Sequence, residues 1–187
     1  ALLEFQGGRY REARKLLLGL NARHPNAPPV LRLLGMTECE LGNYGEAIDC
    51  LGQVIDRDAT PADLFNLGKA LQLAHRLDEA LRAHEAGLKL APGNPTLMQA
   101  RATTLLQMGH IERAEALLRE LLAAEPGNLE AAVNLANALV LLRRPSEALE
   151  LFKAASAADP SIPRSQSGPI LRAKLLTADW QGFDEVL

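Results

Sequence analysis

An alanine recurs at a nearly constant interval along most of this chain. The intervals are 34, 33, 34 and 34 residues, and the alanines are Ala13, Ala47, Ala80, Ala114 and Ala148. A proline keeps the same 34-residue step at Pro92, Pro126 and Pro160. A period of this length indicates an array of one supersecondary unit that stacks on copies of itself.

Each unit contains two helical patterns separated by a short turn. In the third unit, apolar residues recur three and four positions apart over 62–75 and again over 77–91, which is typical of helices with one buried stripe. Proline ends the second pattern because it cannot continue a helix. The short turn requires the two helices to lie antiparallel. One pair cannot bury its own stripe, so neighbouring pairs must stack.

Small residues mark the middle of each first helix. Gly35, Gly68, Ala102 and Ala136 hold equivalent positions in successive units. A larger side chain there would push the paired helices apart, which costs about 1–3 kcal/mol per site. The sequence therefore predicts close helix contacts at these positions and at the recurrent alanines of the second helices.

These residues resemble the tetratricopeptide repeat family. The family pattern has leucine–glycine in the first helix, an aromatic residue at the turn, alanine in the second helix and proline at its end. The chain has Leu34–Gly35, Leu67–Gly68, Tyr10 and Tyr44 in matching places, but glycine is lost at Ala102 and Ala136. The resemblance implies an all-α fold, a right-handed α-solenoid superhelix of antiparallel helix pairs.

The period divides the chain into repeats. We expect a partial repeat at 1–27, full repeats at 28–60, 61–94, 95–128 and 129–162, and an irregular linker with a truncated sixth repeat at 163–187. Because the chain starts at Ala1 and both ends cut through repeats, we interpret it as a piece of a longer protein. Exposed apolar stripes at the two ends would favour end-to-end self-association.

Composition and charge exclude several partners. The net charge is −3 and there is no basic block, so nucleic acid is not expected as a partner. No apolar run reaches the roughly 18 residues that a membrane span needs. Cys39 and Cys50 form no redox or metal-binding motif, and we expect both to stay reduced in the cytoplasm.

The sequence predicts no active site. The four histidines share no repeat position and match no metal-binding motif, and there is no nucleophile or nucleotide-binding motif. Acidic residues in the first turn of the second helices are explained by the helix dipole. We therefore predict that this chain is not an enzyme and has no catalytic residue, metal site or cofactor.

The family resemblance places a binding surface on the inner wall of the first helices. The predicted groove residues are Arg32, Met36, Phe65, Asn66, Lys69, Gln99, Thr103, Asn134 and Asn137. Asn66 and Asn134 share one repeat position, and an amide can both donate to and accept from a peptide backbone. We predict a non-catalytic protein–protein interaction scaffold that binds an extended peptide or a partner protein in a concave groove. The alternative is that these are solvated polar residues without a partner.

A second resemblance concerns the C-terminal end. Residues 173–187, with Asp179, Trp180 and Phe183, are similar to the junction after the repeats in O-linked N-acetylglucosamine transferase-like proteins. This resemblance implies the substrate-recruiting repeat arm of a larger glycosyltransferase. Alternatively, Trp180 and Phe183 cover the open hydrophobic end of the last repeat.

Overall fold

The chain folds into helices throughout the part that its structure, a computed structural model, describes, which is residues 1–178. That range contains no β-strand. Its twelve helices are α1 (Leu2–Gln6), α2 (Tyr10–Arg23), α3 (Pro28–Glu40), α4 (Tyr44–Asp58), α5 (Pro61–Leu73), α6 (Leu77–Leu90), α7 (Pro95–Gln107), α8 (Ile111–Ala124), α9 (Leu129–Leu141), α10 (Pro145–Ala158), α11 (Ile162–Ser165) and α12 (Ser167–Thr177).

The helices form two compact units. The N-terminal unit comprises Ala1–Ala100 and the C-terminal unit Arg101–Leu187, so that the boundary falls inside α7. In the N-terminal unit, α3 packs on α4 and α5 on α6, while α4 packs on α5. In the C-terminal unit, α9 packs on α8 and α10, and α12 packs on α10 and α9. Antiparallel helix pairs that stack on their neighbours are the predicted architecture.

The first helices begin at capping residues that the sequence supplies. Thr60 and Asp63 form a reciprocal capping box at the start of α5, in which each side chain accepts a hydrogen bond from the backbone N–H of the other at 3.2 Å. Asn94 and Asn128 accept backbone hydrogen bonds at the starts of α7 and α9, at 3.1 and 3.0 Å. These side chains satisfy N–H groups that have no partner within the helix.

The recurrent small residues lie where helices cross. All five recurrent alanines are 0% exposed. A Cβ added to Gly35 would lie 2.7 Å from Leu51 Cγ, which is too close for two carbon atoms. The repeat therefore keeps small residues because paired helices approach closely at these points.

Helices occupy most of residues 162–177, where an irregular linker and the start of a truncated sixth repeat were expected. The short helix α11 is followed at once by α12, which packs on α9 and α10. Pro163 and Pro169 both lie within the first three residues of these helices. Proline is tolerated there because the first N–H groups of a helix have no intrahelical partner to lose. Proline alone was therefore a poor sign of an irregular segment here.

Candidate functional site

A small pocket opens on the first helices of the N-terminal unit. It has a volume of about 40 Å³. Side chains from α1, α3 and α5 surround it, and Leu51 of α4 also lines it: the residues from the three helices are Phe5, Met36, Cys39, Glu40, Asn66 and Lys69. Three predicted groove residues, Met36, Asn66 and Lys69, are thus brought together.

The Asn66 amide borders this pocket without an internal partner. The residue is half-buried, and its side chain makes no hydrogen bond within residues 1–178. An amide in this position has two donor hydrogens and an acceptor oxygen available to a ligand.

Lys69 and Glu40 form an ion pair at the rim of the pocket. Lys69 Nζ lies 3.1 Å from Glu40 Oε1, and the two side chains are 48% and 37% exposed. The hydrogen bond to Glu40 raises the pKa of Lys69, so the ammonium stays charged. A pair this exposed contributes less than about 1 kcal/mol, and a charged ligand can compete for either partner.

Arg32, another predicted groove cation, is engaged by a buried carboxylate. Its Nε donates to Asp63 Oδ1 at 2.7 Å, and Asp63 is 2% exposed. Burial alone would raise the pKa of Asp63, but hydrogen bonds from Arg32 and Thr60 outweigh it and hold that pKa below its usual value. Arg32 therefore links α3 to α5, which the sequence pattern did not reveal.

Glu38 is a second buried carboxylate with a structural explanation. It accepts hydrogen bonds from Arg14 Nε and Asn43 Nδ2, both at 2.7 Å. These contacts connect α3 to α2 and to the turn before α4. Both carboxylates thus bind neighbouring helices together rather than face an open cleft.

Phe65, Gln99 and Thr103 do not line the pocket. Phe65 and Thr103 are half-buried, and Gln99 is buried on α7. Gln99 and Thr103 both have interactions within the chain. Their use as ligand contacts stays a prediction.

The C-terminal unit presents two amides on α9. Asn134 is half-buried and makes no side-chain hydrogen bond within residues 1–178. Asn137 Nδ2 donates to Gln166 Oε1 at 3.1 Å. The Asn137 Oδ1 atom is buried and accepts no hydrogen bond from the described residues.

Two neighbours of the predicted residues were missed from sequence. Phe5 could have been found, because it stands 34 residues before Cys39 and so belongs to the same repeat position. Gln166 gave no such signal, since it lies in the insertion between the fifth repeat and α12, where the period fails.

Sequence comparison decides the family. Models of the tetratricopeptide repeat match residues 1–49, 32–95, 71–124 and 105–168. The chain belongs to the tetratricopeptide repeat family. The predicted all-α fold class and the family resemblance are confirmed.

Solved structures share this tetratricopeptide repeat fold. MamA is 19% identical, with a TM-score of 0.75 over 84% of this chain and 93% of that chain. TTC0263 from Thermus thermophilus is 22% identical, with a TM-score of 0.69 over 95% of both chains. YrrB, described as a TPR protein with an unusual peptide-binding site, is 15% identical, with a TM-score of 0.71 over 94% and 87%. At these identities the likeness shows the fold alone.

A curated relative extends the comparison to a longer protein. Coatomer subunit epsilon of Dictyostelium discoideum is 28% identical over 154 residues, which are 81% of this chain and 50% of the relative. The tetratricopeptide repeat chain therefore spans about half the length of this relative.

The histidine and acidic residues of the described range include one fully buried imidazole and form no cluster placed to bind a metal ion. His84 is fully buried, and burial lowers its pKa to about 4. Residues 1–178 hold no group of three or more His, Cys, Asp or Glu side chains placed to bind a metal ion. Every helix in that range is too short or too polar to span a bilayer.

The glycosyltransferase resemblance depends on Asp179, Trp180 and Phe183, which lie outside the described residues. The substrate-recruiting arm that it implies stays a prediction. The same holds for Trp180 and Phe183 as a cover for the end of the last repeat.

Proposed function

We propose that this tetratricopeptide repeat chain is a non-catalytic interaction scaffold that binds an extended peptide segment on its first helices. The observation that carries the proposal is the Asn66 amide, which borders an open pocket and has no hydrogen-bond partner within residues 1–178. A half-buried amide without a partner is stabilised when a ligand supplies one.

The chemistry around Asn66 suits a peptide. The amide can donate to a backbone carbonyl and accept from a backbone N–H at the same time. Phe5 and Met36 offer apolar surface beside it, and the Lys69–Glu40 pair offers both charges at the rim. This combination holds the backbone of a segment with little demand on its sequence.

The comparisons support an interaction role of this kind. YrrB is described as having a peptide-binding site, and the coatomer relative is a subunit of an assembly. A scaffold that holds a partner protein by an extended segment agrees with both. Cys39 and Cys50 are free thiols, which supports the cytoplasmic location expected from the sequence.

The test isolates the amide. Peptides selected from a random display library on the whole chain would be labelled, and their binding measured by fluorescence anisotropy. Asn66→Ala should weaken binding about 2- to 12-fold, the equivalent of about 0.5–1.5 kcal/mol for one hydrogen bond. Gln53→Ala removes an exposed amide from α4, on a second helix of the same unit, and should leave the affinity unchanged.

Circular dichroism would show that both variants keep the helicity of the parent. Equal affinities for Asn66→Ala and the parent would overturn the proposal, as would a loss of binding in Gln53→Ala.

A further inference from the structure

The helix α12 continues the repeat in register after the insertion. If the sixth unit is counted from Ser167, Ile170 and Ala173 fall at the positions that Leu31 and Leu34 hold in α3. All four side chains are buried. The helix also packs on α10 and α9, as α5 packs on α4 and α3 in the N-terminal unit. The short helix α11 thus absorbs the insertion, and α12 acts as a first helix.

This register reveals a substitution on the inner wall of the C-terminal unit. In the N-terminal unit, Glu40 and Lys69 of successive first helices form an ion pair. The equivalent positions of α9 and α12 hold Leu141 and Leu175. These leucines are 49% and 56% exposed. A polar pair in one unit is therefore replaced by exposed aliphatic surface in the other.

Polar groups without partners lie on the same helices. Asn134 makes no side-chain hydrogen bond within the described residues, and the buried Oδ1 of Asn137 accepts none. Asn137 Nδ2 donates to Gln166 Oε1 at 3.1 Å, which fixes the direction of the Asn137 amide. Because Asn137 Oδ1 is buried, the half-buried Asn134 is the amide on α9 that a ligand backbone can reach.

One exposed arginine and one exposed glutamate lie on this wall. Arg172 occupies, in α12, the repeat position of Asn66 and Asn134. It is exposed and forms no ion pair within residues 1–178. Glu130, an exposed carboxylate on α9, already has an interaction within the chain. A complementary ligand therefore carries a carboxylate.

We propose that the C-terminal unit binds an extended segment of a partner protein that carries both an aliphatic side chain and a carboxylate. The aliphatic side chain packs against Leu141 and Leu175, the Asn134 amide hydrogen-bonds to the backbone of the segment, and Arg172 pairs with the carboxylate. The proposal rests on the proposed function, because it assigns a ligand class to first helices as a binding face.

The experiment uses a peptide array on the whole chain. Nine-residue peptides of glycine and serine would carry one leucine and one aspartate at every pair of positions, with leucine-only, aspartate-only and blank peptides beside them. Binding of the fluorescently labelled protein should be at least 10-fold stronger to some leucine–aspartate peptides than to any other class.

Two variants assign that binding to the site. Leu141→Glu/Leu175→Lys reproduces the charges of Glu40 and Lys69 at exposed positions and should remove the binding. Arg172→Gln should reduce the binding of leucine–aspartate peptides to that of the leucine-only peptides. Leu16→Glu/Leu20→Lys, a matched change of exposed leucines on α2, should have no effect.

The outcomes separate this inference from the proposed function. Loss of binding in Leu141→Glu/Leu175→Lys, with no effect of Asn66→Ala on library-selected peptides, supports the inference and rejects the N-terminal site. Absence of leucine–aspartate preference, or its persistence in Leu141→Glu/Leu175→Lys, overturns the inference and leaves the Asn66 test unaffected. A third outcome would also overturn the inference. If the parent binds no peptide and sediments as a dimer, while Leu141→Glu/Leu175→Lys sediments as a monomer, this surface binds a second copy of the chain.

Discussion

Gly68 of α5 faces the imidazole of His84 of α6 so closely that a Cβ on the glycine would overlap the ring. His84 is 0% exposed, so its ring is enclosed by the protein. As long as His84 faces this point of α5, the residue there must therefore be as small as Gly68.

Gly68→Ala should consequently destabilise the chain. Overpacking of this kind costs about 1–3 kcal/mol, although alanine favours a helix by up to about 1 kcal/mol over glycine. Urea unfolding followed by circular dichroism would measure the difference. Gly52→Ala in α4, where an added Cβ meets nothing within 4 Å, should be neutral or stabilising. Equal effects of the two substitutions would show that the Gly68–His84 contact is not tight.

His84 should also make stability depend on pH. Burial lowers its pKa from 6.5 to about 4, so between these values the unfolded chain binds a proton that the folded chain excludes. The free energy of unfolding is therefore highest above about pH 6.5. It decreases as the pH falls towards 4, by up to about 3 kcal/mol in total. Urea unfolding of the parent and His84→Leu at pH 7 and 4.5 would test this. A parent and variant that lose the same stability would contradict it.

Arg32 and Lys69 should respond differently to loss of charge, although both were predicted as groove cations. Arg32→Met leaves Asp63 buried without its charged donor, and should cost about 1.5–3 kcal/mol. Lys69→Met removes an exposed ion pair and should cost less than about 1 kcal/mol. Because the pKa of Asp63 lies below its ordinary value of 3.8, its contribution is present above that pH and is lost as the pH falls through the lowered pKa. Arg32→Met should therefore lose much of this acid dependence.

The fold could be predicted from the sequence because the repeat constrains it at every level. The spacing of Ala13 and its four equivalents gave the unit length, and the two helical stripes gave the helix pair. Each of these alanines is fully buried, so the same residues that create the period also create the packing. A local pattern and a tertiary contact coincide in a repeat protein, since each unit contacts mainly its neighbours.

The candidate site could be predicted only in part. Met36, Asn66 and Lys69, which were predicted from their repeat positions, line one pocket, and their use as ligand contacts stays a prediction. Repeat position did not reveal that Arg32 is engaged by Asp63, since that contact depends on which side chain the next repeat presents. It also missed Gln166, because an insertion moves residues out of the period. The repeat position of a residue predicts the direction in which its side chain points. It does not predict the partner of that side chain, because the partner differs from one pair of repeats to the next.

The turn inside each helix pair offers a last test of the backbone. Gly109, between α7 and α8, has a φ of +79°, a left-handed conformation that costs a residue with a Cβ about 1–2 kcal/mol. Gly109→Ala should therefore destabilise the chain by about 1 kcal/mol, although nothing lies within 4 Å of the added Cβ. Gly127, before α9, is equally open but has no such φ, so Gly127→Ala should stabilise by about 0.4–1 kcal/mol through the unfolded state. Thermal unfolding of both variants separates backbone strain from packing, because space is available at both sites and only the backbone conformation differs. Opposite shifts in Tm are expected, and shifts of the same sign would show that Gly109 does not hold the left-handed turn in solution.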